Sequence, residues 1–199
     1  MPAPGPGHLR AAASDPGVDV TRRRWPGPAS RLGVVSLGYL VLLVAGIASG
    51  AAISLCQGHA VAAPRDAHAH QSGTAFLVGV LQANGRVWLY TCCGLVSFGS
   101  VGLFVLFGNA VRFGIDVTSL ARGAPRELLY LLPHATVEFT AFTVAAASCQ
   151  YLSWSLFDVL VLNRARAPVR PGVAALAVSF ALLVVAACLE TYSQSLRFG

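Results

Sequence analysis

Apolar residues run in long blocks along this chain, and most polar ones gather between them. Four blocks approach or exceed bilayer length: residues 32–55, 87–107, 127–152 and 173–192. A hydrophobic stretch of about 18 residues or more reads as a transmembrane helix, so each block predicts a span. Two further apolar stretches, 74–82 and 153–162, are too short to cross and predict interfacial or re-entrant segments. Asn84-Gly85 reads as a turn before the second span. The expected fold is therefore all-α, a polytopic membrane helix bundle with four full spans plus short interfacial or re-entrant helices. Five spans is the alternative, if 153–162 turns back as a pass of its own.

The third block, ELLYLLPHATVEFTAFTVAAASCQYL, departs most from a plain lipid-facing helix. Ionisable groups inside a span cost roughly 2.5–3.5 kcal/mol each at the helix centre, so they are seldom idle. His134 and Glu138 are four residues apart and share a helix face. Pro133, just before them, removes one backbone donor and can kink the helix or mark where its regular part starts. That face continues through Ala141, Ala145 and Cys149, small residues that let another helix approach closely. Phe139 and Phe142 lie on other faces and suit lipid or a neighbouring helix. The pair reads either as structural hydrogen-bonding glue or as a binding or relay site, its members bonding each other or a polar group such as Asn109. Glu190, near the end of the last block, shares a face with Ala186; it points inward or lies at the interface.

Glycines suggest where helices cross. Gly46 and Gly50 form a GxxxG pair in the first span, and Gly94 with Ser97 and Gly99 with Gly102 are pairs three apart in the second. Each permits close packing. Trp88 and Tyr90 sit like an aromatic belt at the start of that second span.

Composition agrees with the pattern. Of 199 residues, 55% are hydrophobic and 11% charged, against about 25% charged in a soluble domain, and mean hydropathy is +0.65. All 14 basic residues are Arg. No basic face interleaved with aromatics is present, so nucleic acid is not an expected partner. The five cysteines form no CxxC pair and read as small buried hydrophobes. His59, Asp66, His68 and His70 lie together in the polar loop 56–73 without ligand spacing, so neither a metal nor another cofactor is expected.

Residues 1–31, rich in Pro, Gly, Ala and Arg, predict a disordered cytoplasmic tail, and 32–199 a membrane domain. Arg22, Arg23, Arg24 and Arg31 place the N-terminus in the cytoplasm by the positive-inside rule, giving a multi-pass plasma-membrane protein. A cytoplasmic loop is then expected at 111–127, with Arg112, Arg122 and Arg126. One conflict remains. In a four-span topology the loop carrying Arg164, Arg166 and Arg170 falls outside, against the rule.

Leu132-Pro133-His134-x-x-x-Glu138 resembles the LPHGxxE signature of the stage II sporulation protein M family. Asn84, the glycines at 94, 99 and 102, Asn109, Gly114 and the segment 187–190 resemble further family features, together covering about 74–192. Ala135 and Ala110 stand where that family usually has glycine. The resemblance implies a membrane protein working beside peptidoglycan hydrolases during engulfment, or a partner of ABC-type exporters. The expected function is a non-enzymatic scaffold of a cell-envelope complex, with an exporter or peptide-maturation subunit as the alternative. Its partners would be the lipid bilayer and envelope proteins such as a hydrolase or an ABC ATPase, with a second copy of itself as a further candidate. No catalytic residue is assigned: Cys149 is 11 residues beyond Glu138, about 16 Å along a helix.

Overall fold

The computed structural model describes residues 28–57, 73–162 and 169–198. Of the tail expected over 1–31, residues 1–27 lie outside them, as do the histidine-rich loop and Arg164 and Arg166, while residues 28–31 are helical and open the first helix. Among the described residues the chain is helical, with no strand: α1 (Pro28–Gln57), α2 (Gly73–Cys92), α3 (Ser100–Gly123), α4 (Leu128–Leu160) and α5 (Val169–Phe198). Four helices are long and apolar enough to cross a membrane, namely α1, α3, α4 and α5. The bundle class holds, and the helix bounds differ in instructive ways.

Helix α4 is the axis of the bundle and touches all four other helices. Ala145, Ala146, Ala147, Ser148 and Cys149 are five consecutive residues, all at most 1% exposed. Five in a row exceed one helical turn, so here α4 is surrounded on every side. Only small side chains fit there, which explains the alanine run. Phe139 and Phe142 are buried rather than lipid-facing, and Phe139 stacks on Phe113 of α3 at 5.0 Å.

The stretch 153–162 is not a separate re-entrant segment. Residues 153–160 continue α4, which runs for 33 residues, or about 50 Å. Ser153 and Ser155 are buried, and Asp158 reaches Arg31 at the start of α1 at 3.6 Å. At the opposite end Arg197 of α5 meets Glu127, just before α4, at 3.0 Å. These two ion pairs fix the directions: α4 runs against both α1 and α5. Its end and the start of α5, with Arg170, therefore lie at the same end of the bundle as Arg31.

The second span is the main correction. Residues 87–107 are not one helix; the chain breaks at 93–99 and reverses. Helix α2 runs straight through Asn84-Gly85, which is no turn, because its buried residues Phe76 and Val80 pack on Ala187 of α5. A 3-10 turn, Cys93–Leu95, follows. Phe98 and Gly99 then take positive φ values of 52° and 88°. The Gly99 N–H donates to the Gly94 carbonyl at 2.8 Å, the outer bond of a Schellman closure with a left-handed residue at Phe98. Ser97 Oγ donates to the Cys93 carbonyl and accepts from the Val101 N–H, both at 3.1 Å, satisfying a free donor of the first turn of α3. Tyr39 Oη seals the tip by donating to the Gly99 carbonyl at 3.1 Å. Gly99 is thus a turn residue as well as a packing one, since a Cβ there would sit 2.9 Å from Tyr39 Oη and 3.0 Å from Gln150 Cδ. Gly94 and Gly102 also serve close packing, across the hairpin: a Cβ at Gly102 would sit 3.2 Å from the Thr91 carbonyl.

Because α3 starts later than expected, it extends to Gly123, so residues 111–123 are helix rather than loop. It runs parallel to α1. Gly46 meets Ala110, Gly50 meets the Val111 carbonyl, and Gly114 meets the Ile47 carbonyl. Further along, Ser54 Oγ and Ser119 Oγ are 3.4 Å apart. The GxxxG pair of α1 is therefore one half of a crossing whose other half is Ala110-x-x-x-Gly114. Ala110, fully buried, brings a methyl to this crossing, and Gly46 leaves room for it. Trp88 is no interfacial belt residue. Its indole N–H donates to the buried Ser179 Oγ at 2.7 Å, while Tyr90 is exposed.

Candidate functional site

His134 and Glu138 sit in the first third of α4. Pro133 lies inside the helix, which continues through it, and it leaves the Leu129 carbonyl without its usual donor. His134 is buried, and its Nδ1 is 3.0 Å from the Tyr130 carbonyl one turn back. A carbonyl only accepts, so Nδ1 is the donor of this bond. His134 thus bonds its own helix rather than Glu138. The shared face is real, but the expected bond between the two is absent.

Glu138 instead takes its hydrogen bond from the Asn84 side chain of α2, and Glu190 of α5 lies within electrostatic reach of it. Three helices therefore converge on one half-buried carboxylate. Glu190 faces inward, continuing the face of buried Ala186 and Ala187. Asn109 does not join: its Nδ2 donates to the Val105 carbonyl of its own helix at 2.8 Å. Asn84 is the member that the residue pattern missed as a site, because Asn-Gly read as a turn. A signal was present, since Phe76, Val80, Asn84 and Trp88 recur every four residues and form one inward stripe of α2.

Chemically, two carboxylates and an amide donor inside an apolar bundle can bind a proton or join helices. Cys149, further along the face of Glu138, packs its thiol against Cys92. Among the described residues no group of three or more His, Cys, Asp or Glu could hold a metal ion. An apolar groove of about 520 Å³ opens between α1 and α4, floored by Ala135, Phe139 and Phe113.

This arrangement places the LPHAxxE segment, the α2 asparagine and the α5 glutamate at one locus. The stage II sporulation protein M profile matches residues 32–193. The chain belongs to the stage II sporulation protein M family. That match takes in α1 as well as the region from 74 onward, so the α1–α3 glycine crossing lies inside the family region. No curated protein and no solved structure matches the chain.

Proposed function

We propose that this membrane protein is a non-enzymatic scaffold of a cell-envelope complex of the sporulation type, with peptidoglycan hydrolases the partner class implied by its family. The observation that carries this reading is the packing of α4. Its interior is filled by alanine, serine and cysteine against four other helices, and its carboxylate is engaged by an asparagine. Such packing supports the reading of α4 as a platform that holds partners. The test is co-purification from native membranes: a scaffold brings down envelope proteins without added nucleotide, and its deletion alters wall morphology. An ABC ATPase dominating the complex, with export lost on deletion, supports the second reading, an exporter or peptide-maturation subunit. The proximity of Glu138 and Glu190 favours that alternative, because paired intramembrane carboxylates suit proton or cation coupling. Deletion that leaves both morphology and export intact sinks the two together.

Orientation belongs to the same proposal. The start of α1 with Arg31, the end of α4, and the start of α5 with Arg170 share one end of the bundle. Placing that end in the cytoplasm brings Arg31 and Arg170 into accord with the positive-inside rule, and it puts the 122–127 connection, with Arg122 and Arg126, on the outer side instead of the cytoplasmic side expected for it. With the native cysteines replaced by alanine, Arg23→Cys and Arg170→Cys are expected to resist a membrane-impermeant thiol reagent in whole cells, and His68→Cys to react. Labelling of positions 23 and 170 with protection of 68 inverts the assignment.

A further inference from the structure

Helix α3 presents an ion pair to the outside of the bundle. Arg112, at the middle of this 24-residue helix, has a side chain 85% exposed, and Asp116 one turn later is 50% exposed. Their mutual contact is long, 4.0 Å. Ionisable groups within a span almost always face the bundle interior or a partner, because hydrocarbon solvates neither charge. The other ion-paired arginines of the spans do so within the chain, Arg31 with Asp158 and Arg197 with Glu127. Among the described residues, Arg112 pairs only with a residue of its own helix. The same outward stripe holds Phe104 and Gly108, and a Cβ at Gly108 would meet nothing within 4 Å. The opposite face of α3 is already filled by α1 through Ala110 and Gly114.

We infer that this outer face of α3 is the interface between two copies of the chain, closed by Arg112 and Asp116. The occupant must supply an anion within reach of Arg112 and a cation within reach of Asp116. An anionic lipid headgroup supplies the first and repels the second, and a zwitterionic one, which carries both charges, belongs to the membrane surface rather than to the middle of a span. A second copy supplies both by symmetry. With a two-fold axis along the bilayer normal, Arg112 reaches Asp116 of the partner subunit and the reciprocal pair forms. One helical turn, about 5.4 Å of rise, is within the length of an arginine side chain. Gly108, one turn earlier on the stripe, leaves a dip where the two helices come closest.

The experiment uses two differently tagged full-length copies in one membrane, solubilised gently and purified through one tag. Wild-type copies are expected to co-purify. Arg112→Glu makes the face wholly negative, Asp116→Arg makes it wholly positive, and each is expected to lose self-association at least about tenfold. Co-expressed, the negative and positive variants are expected to pair with each other at wild-type yield, an outcome that a mere folding defect does not produce. Three results overturn the inference: wild-type copies that never co-purify, single variants that self-associate normally, or oppositely charged variants that fail to pair. Retrieval of a different envelope protein in place of the second copy, released by Arg112→Glu, also overturns it and assigns the face to that protein.

Discussion

Replacing Gly50 with leucine is expected to strip the protein from the membrane. At this crossing α1 and α3 approach backbone to backbone: even a single methyl at Gly50 runs into the Val111 carbonyl oxygen, and one at Gly114 runs into the Ile47 carbonyl. Overpacking a well-filled core costs about 1–3 kcal/mol when side chains can adjust. Here the obstacle is backbone in both directions, so the helices themselves must separate. Separation also breaks the contacts beyond the crossing, namely Ser54 with Ser119 and the Arg122 guanidinium bonded to the Ser54 carbonyl at 3.3 Å. The expected loss is at the top of that range or above it, a large part of the about 5–15 kcal/mol that holds a typical protein folded. Membrane level and thermal stability in mild detergent measure it. Gly79→Leu is the control, because a Cβ there meets nothing within 4 Å. Equal levels and equal melting for the two variants would show that α1 and α3 do not cross at Gly50.

The second large effect concerns Glu138. Glu138→Ala leaves the Asn84 amide without its acceptor in a half-buried, apolar setting, at about 1–3 kcal/mol for an unsatisfied polar group. A lower level in the membrane is the expected result. Glu138→Gln keeps the side-chain length and still offers an oxygen to Asn84, so the level should stay normal. Under the scaffold reading function stays normal too. Under the exporter reading the charge itself matters, and the glutamine variant loses export at full protein level. Asn84→Ala is the companion: it should lower the level as Glu138→Ala does, and the double variant should cost less than the sum of the two, because the residues share one bond. Strict additivity would show that Asn84 and Glu138 do not interact.

Much of this protein follows from local pattern. Blocks of apolar residues predicted four long membrane helices, because length and hydropathy alone decide whether a helix suits a bilayer. The 3.6-residue period placed His134 and Glu138 on one face, and small residues marked Gly46 and Gly50 as a crossing. The reversal at 93–99 was hidden for a physical reason. Its residues are as apolar as a span, and only the left-handed turn at Phe98 and Gly99, sealed by Tyr39 from α1, breaks the helix. Asn84-Gly85 failed in the opposite direction: a dipeptide that favours turns stays helical because Phe76, Val80 and Trp88 on its face are held by α5. The partner of Glu138 was likewise beyond local reading, since Asn84 is 54 positions away and Glu190 is 52. Periodicity says which way a side chain faces on its own helix. Which residue it meets depends on how separate helices are arranged, and that was decided by the packing of α2 and α5 around α4.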